Sequence, residues 1–278
     1  MKGTVIFSDL ALSQRLERAE GFACAQFAVA RSRLFPSSGA EWMECAGSTV
    51  VFDGVEWPAT QTFGLGLFEE LTPSALDTIE RFFLDRCTTP MHEVSPMAGA
   101  QTLDLLCARN YRPFEISNVL YRSVEEPCAA TPDNIRVHVI GAQEADLWSN
   151  VNARGWAHDH PEYEDFLKTT GQLLAVRQDS PCFLAEVDGQ PAAAGGLCLH
   201  RGIALFAGAA TVTEYRYRGL QAALLEARMR YAFEYGCDLA MMVALAGSNS
   251  QRNAERKGFR VAYTRLKWKL MSELPARG

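Results

Sequence analysis

The run Thr211-Val-Thr-Glu-Tyr-Arg-Tyr-Arg-Gly-Leu-Gln-Ala-Ala-Leu-Leu225 joins a basic, glycine-containing turn to the start of a helix-forming stretch. An apolar, strand-like segment, Ile203 to Thr211, leads into it, and a helix-like segment, Leu220 to Tyr235, leads out. Strand, glycine turn, helix is a device for holding phosphate. Backbone N–H groups point out of such a turn, and the helix start adds partial positive charge. Arg216 and Arg218 set two full charges beside it. The implied chemistry is recognition of a phosphate-bearing small molecule. The plain alternative is an ordinary strand-to-helix loop with exposed arginines.

The segment resembles the signature of the GNAT acyltransferase superfamily, Gln/Arg-x-x-Gly-x-Gly/Ala, with Arg216 in the first position and Gly219 in the fourth. Gln221 stands where the family has a small residue, and Ala222 follows at once. A longer side chain there either crowds a pyrophosphate or points away from it. The downstream order also resembles the second half of a GNAT domain. It reads as strand-like Leu239 to Leu245, helical Ser250 to Arg256, the pair Gly258-Phe259, then strand-like Arg260 to Leu270. The resemblance covers residues 134–271. It implies that Arg216, Tyr217, Arg218, Gly219, Leu220, Gln221 and Ala222 grip the pyrophosphate of acetyl-CoA. It places the main chain of Ala209, Ala210 and Thr211 beside the thioester, next to a bulge in the strand before the turn. Ser250 matches a polar position near CoA, and equally is a competent helix cap. Asn253 either contacts the pantetheine arm or is solvated. The implied activity is acetyl transfer from acetyl-CoA to an amine by direct attack in a ternary complex.

Acyl transfer to an amine needs a placed thioester, donors for the developing oxyanion, and a route for the amine proton. No general acid or base is assigned from the sequence. Many relatives carry a tyrosine four residues before the Gly-Phe pair, and that position is Ala254 here. Tyr215 and Tyr263 lie nearby in sequence without matching it, and Tyr263 reads as sheet packing. The segment His158-Asp-His-Pro-Glu-Tyr-Glu-Asp165 lies where GNAT domains build the acceptor pocket. His158, Asp159 and Glu162 are the candidates for selecting an amine-bearing small molecule or peptide. An acidic solvated loop is the bland alternative, and a His-x-His pair also suits a metal; no metal is expected. Glu214 is expected to pair with Arg216 or Arg218.

Bulk properties narrow the class. A chain of 278 residues suggests about two domains, and 48% hydrophobic with 22% charged residues is a globular composition. The net charge of −6 argues against nucleic acid as a partner. No apolar run reaches the roughly 18 residues that span a bilayer, and Thr4–Phe7 is too short for a signal peptide. The eight cysteines lie 16 or more residues apart. They read as small buried hydrophobes in a reducing, cytoplasmic setting.

The chain contains two similar halves. Ala108-Arg-Asn-Tyr-Arg112 aligns with Arg256-Lys-Gly-Phe-Arg260 at an offset of 148 residues. Each segment ends a helix at a residue tolerant of left-handed backbone, Asn110 or Gly258, and enters a strand. Upstream, Thr60 to Phe68 reads as strand, Ser74 to Arg86 as helix, Met91 to Val94 as strand and Ala98 to Arg109 as helix. The expected fold is α/β: two GNAT-like domains, each a mixed sheet flanked by helices. The expected boundaries are 1–124, a linker at 125–133, and 134–278. The first half reads Glu69-Glu-Leu-Thr-Pro-Ser74 where the second has its basic turn, so it is expected to bind no CoA. Asp9 to Leu34 has helical spacing. Two other functions fit a tandem GNAT chain: a non-catalytic acyl-CoA sensor, and aminoacyl transfer from charged tRNA, against which the acidic charge and the CoA-type turn argue.

Overall fold

The computed structural model of the chain describes residues 6–126, 132–157, 164–177 and 180–271. In chain order its first elements are α1 (Leu10–Leu34), β1 (Glu41–Cys45), β2 (Ser48–Phe52), β3 (Gln61–Phe63), α2 (Pro73–Leu84), β4 (Met91–Val94), α3 (Gly99–Ala108) and β5 (Tyr111–Ser123). Next come β6 (Ile135–Val139), α4 (Ala145–Ala157), α5 (Glu164–Ala175), β7 (Cys182–Val187), β8 (Gln190–His200) and β9 (Ile203–Thr211). The last are α6 (Leu220–Glu234), β10 (Leu239–Leu245), α7 (Asn249–Arg256) and β11 (Arg260–Leu270). The chain divides into two compact units. One combines Met1–Arg122 with Val243–Gly278, and the other is Ser123–Met242. These units do not follow the two halves of the sequence, because the final strand pairs with strands of the first half. The expected linker lies largely outside the described residues.

In the first unit the sheet order is β1-β2-β3-β4-β11-β5. A two-residue turn, Ala46-Gly47, closes the β1–β2 hairpin with both residues at positive φ, as tight hairpins require. β11 runs antiparallel to β4 on one side (Trp268↔His92) and to β5 on the other, from Arg260↔Tyr121 to Leu270↔Tyr111. The turns that open these two long strands do match each other: Asn110 has φ +62° and Gly258 has φ +86°. The reading of 60–68 as one strand is corrected. Only Gln61–Phe63 is strand, because Gly64 (φ +71°) and Gly66 (φ +68°) turn the chain away. One face of this sheet carries an apolar core with Val50, Phe52, Leu76, Ile79, Phe83, Leu106 and Trp268.

A second cluster in this unit is charged. Arg265 of β11 is 1% exposed and donates to Glu17 at 2.9 Å and to both oxygens of Glu20, at 2.6 and 2.8 Å. Its Nε lies 3.0 Å from a carboxylate oxygen of Glu93 on β4. The Tyr263 hydroxyl donates to Glu17 at 2.9 Å, so its expected place in the sheet holds. One guanidinium thus serves three carboxylates. Burial pushes the Glu93 carboxyl up to about 7 against the pull of Arg265, with Glu20 and Glu17 adding to the rise. A carboxyl whose folded value lies above its unfolded one favours folding most in acid, and that contribution fades as pH rises from about 4.5 to about 7. Glu93→Gln is therefore expected to flatten the fall in thermal midpoint between about pH 5 and about pH 8. Thermal unfolding at those two values measures it, and an unchanged slope contradicts it.

The second unit is a sheet of order β10-β9-β8-β7-β6. β6 to β9 are antiparallel, and β9 pairs in parallel with β10 over three positions, Leu239↔Ile203 to Met241↔Leu205. α4 is pinned to the sheet by Trp148, whose Nε1 donates to the Phe183 carbonyl at 2.9 Å. α5 packs tightly on α4, where a Cβ on Gly171 would meet Ser149 Oγ at 2.6 Å. No helix among the described residues is long and apolar enough to cross a membrane. Among the described residues Cys87 and Cys107 are exposed, which corrects the expectation that the cysteines are buried.

Candidate active site

β9 is buried along its length except at residues 207–209. There the register with β8 slips: Ala194 faces Ala210, but Gly196 faces Ala207. Gly208 and Ala209 together therefore stand opposite Gly195 alone, which is a β-bulge. Gly208 takes φ +59°, a conformation that favours glycine. A bulge next to Ala209, Ala210 and Thr211 is what the family resemblance implied.

Helices hold the bulge from both faces. On one, the Asn152 side chain of α4 donates to the Gly208 carbonyl, and Asn152 is buried. One turn on, Gly155 lies against the strand, and a Cβ there would meet Ala210 Cβ at 2.6 Å and Thr211 N at 3.0 Å. On the other, Arg228 of α6 donates to the Gly196 carbonyl at 3.2 Å. Sequence reasoning missed Asn152, Gly155 and Arg228. A usable signal existed for the first two. Trp148, Asn152 and Gly155 follow helical spacing, so a polar side chain and a glycine occupy a face otherwise read as apolar.

After β9 the chain makes a 3-10 turn at Thr213–Tyr215 and enters the basic turn. Tyr217 has φ +64° with a fully exposed side chain, and Gly219 has φ +86°. Gly219 is the N-cap of α6, no side chain caps the helix, and its first turn contains no acidic residue. The first N–H groups of a helix have no partner inside it, so this start favours an anion. The two arginines are not simply projecting charges. Arg216 braces the site, donating to the carbonyls of Thr211 at 3.4 Å and Gly155 at 3.2 Å. Arg218 pairs with Asp188 at 2.6 Å. Glu214, expected to pair with Arg216 or Arg218, lies 3.9 Å from Arg154. Gln221 turns its amide to the Thr211 hydroxyl at 2.7 Å.

The remaining expected residues are placed less directly. Ser250 and Asn253 are exposed positions of α7, whose residues belong to the other unit. The cap of α7 is Ser248, which accepts from Gln251 N, so Ser250 is not the cap. Ala254 is buried. His158, Asp159 and Glu162 lie outside the described residues. Among the described residues no group of three or more His, Cys, Asp or Glu side chains is placed to hold a metal.

The model of the acetyltransferase (GNAT) family matches residues 145–259, a span that takes in α4, the bulge, the basic turn and α6. The chain carries a GNAT-family domain. Its fold is that of GNAT proteins more widely. A GCN5-related N-acetyltransferase from Kribbella flavida superposes with a TM-score of 0.63 at 18% identity, over 91% of this chain and 97% of that one. A GCN5-related N-acetyltransferase from Sphaerobacter thermophilus gives 0.52 at 16% identity, over 77% and 73%. A tandem GNAT protein from the clavulanic acid biosynthesis pathway gives 0.55 at 12% identity, over 72% and 70%. No curated protein matches the chain significantly. These likenesses fit two GNAT-like domains, and the GNAT domain supports acyl transfer as the class of reaction.

Proposed function

We propose that this chain is an N-acetyltransferase that moves an acetyl group from acetyl-CoA to the amine of a small molecule or peptide. The observation that carries the reading is the uncapped start of α6 at Gly219, directly after a bulged strand. Backbone N–H groups from Tyr217 to Ala222 would hold the pyrophosphate, helped by the helix dipole; the Arg216 N–H is already given to the Thr213 carbonyl at 3.2 Å. Gln221 fits this role because its side chain is occupied with Thr211, away from the turn's backbone. The main chain of Ala209 to Thr211 would orient the acyl end. Bound there, acetyl-CoA supplies an activated thioester. Held there, the thioester would be oriented for attack by the amine. His158, Asp159 and Glu162 are proposed to select the acceptor, in a segment that follows Gly155 by three residues in sequence.

One site per chain is proposed. The first half presents Glu69 and Glu70, both exposed, at the corresponding place. The helix after them, α2, is already capped by Thr72, whose side chain accepts from Ala75 N at 3.2 Å, and its first residue, Pro73, lacks an N–H. A second reading, an acyl-CoA sensor without turnover, is favoured by Ala254, which cannot donate a proton to a leaving thiolate. An acetyl-CoA turnover screen against pooled amines, read as free thiol, separates the two. Calorimetric titration is expected to give one CoA per chain. Binding without turnover supports the sensor, and two equivalent sites overturn the asymmetry.

A further inference from the structure

We propose that Arg228 is a positioning residue for acyl transfer: a buried guanidinium that fixes the strand opposite the bulge and sets a positive potential there. The inference rests on the acetyl-CoA reading above. It begins from a side chain whose placement is costly and otherwise unexplained. Arg228 is 4% exposed on α6. It donates to two backbone carbonyls, Leu224 and Gly196, each at 3.2 Å, and lies 4.9 Å from the Phe206 ring centroid. Among the described residues no carboxylate pairs with it, and burial alone pulls its pKa down to about 10, which leaves it charged at neutral pH. A buried cation without a counter-charge is destabilising, so its presence here points to a role that outweighs that cost.

Its position indicates what does. A Cβ on Gly195 would lie 3.2 Å from the Arg228 guanidinium carbon, so the charge rests directly on the one residue that faces the bulged pair Gly208-Ala209. Phe206, two residues before Gly208, completes the contact from β9. Asn152 holds the Gly208 carbonyl from the α4 side, and Leu174 of α5 lies 3.4 Å from the Cβ position of Gly208. The Arg228 charge therefore acts across one strand from a buried position, where screening is weaker than in water. Acyl transfer builds negative charge beside the bulge. A bond forms from the amine nitrogen to the acyl carbon, the carbon–sulfur bond breaks, the sulfur leaves as thiolate, and the amine proton passes to solvent. With alanine at 254, a fixed positive field at the bulge is how this chain would stabilise the thiolate without protonating it.

The test uses the full chain and free CoA. The thiol of bound CoA is titrated through the ultraviolet absorbance of its thiolate, in wild type, Arg228→Lys and Arg228→Met. The bound thiol in wild type is expected to titrate about one pH unit or more below the ordinary thiol value of roughly 8.5. Arg228→Lys should keep most of that shift, and Arg228→Met should lose it. In turnover, Arg228→Met should lower kcat about tenfold or more while the acetyl-CoA KM changes by less than about threefold. A wild-type bound thiol that titrates like free CoA overturns the inference without any variant, so a misfolded Arg228→Met does not shield it. An equal shift in wild type and Arg228→Met also overturns it. Absence of CoA binding to wild type overturns the acetyl-CoA reading itself.

Discussion

Arg265→Ala is expected to lower stability by about 3–5 kcal/mol, the range for stripping one partner from a buried ion cluster. The loss is large because one buried guanidinium serves three carboxylates that are buried or nearly so. Glu17 is fully buried and Glu93 nearly so, and Lys267 reaches Glu93 only at 3.9 Å. Burial already pushes the Glu17 and Glu93 carboxyls up, with the guanidinium opposing the rise. Without it, both must take up protons for the unit to fold. The folded state then binds more protons than the unfolded chain, so stability falls as pH rises. The defect should therefore be deeper at about pH 8 than at about pH 5. Arg265→Lys keeps the charge but loses the forked contact with Glu20, and is expected to fall between the two. Denaturant or thermal unfolding at both pH values measures this. A variant as stable as wild type at both would show that the cluster contributes nothing net.

Gly219→Asp is expected to abolish CoA binding, a loss of more than about a hundredfold in affinity. Two effects combine. At φ +86° any side chain is strained, which disturbs the turn. The carboxylate also brings negative charge to the start of α6, where the pyrophosphate is proposed to lie. Gly219→Asn separates them, since asparagine tolerates the left-handed region and carries no charge. Its affinity should lie well above that of the aspartate variant. Space is not the obstacle, because a Cβ at Gly219 would meet Ile135 only at 3.7 Å. If both variants bind CoA like wild type, the turn is not the pyrophosphate site.

The elements of the site were legible because each depends on neighbours in sequence. The strand 203–211, the glycine turn and the helix from Leu220 carry their own patterns, and the structure reproduces them. The bulge was implied only by resemblance, since Gly208-Ala-Ala210 in sequence is equally a tightly packed strand. The orientation of Gln221 was open because it depends on Thr211, ten residues away, being free to accept. Arg228 was invisible for a related reason: its partners, Gly196 and Phe206, lie on two other strands. The β1–β2 hairpin went unread because Ala46-Gly47 lacks the asparagine or aspartate that usually signals such a turn. The placement of β11 was not readable at all. Its pattern says strand, but nothing within it says which strands accept it.

That last feature bears on how the protein is made. The second unit, Ser123–Met242, is continuous in sequence, so its own strands can pair before β11 is made. The first unit cannot complete its sheet by then, although most of it is synthesised earlier. Its sheet lacks a strand between β4 and β5 until β11 is delivered, and Arg260 must find Tyr121 across 139 residues of chain. Until then β4 and β5 present open edges, and Glu17, Glu20 and Glu93 await their cation. Open strand edges invite pairing with the wrong chain, and contacts this distant form slowly. The nascent first half is thus the stage at which this chain is most exposed to aggregation, until the strand that relieves it has been made.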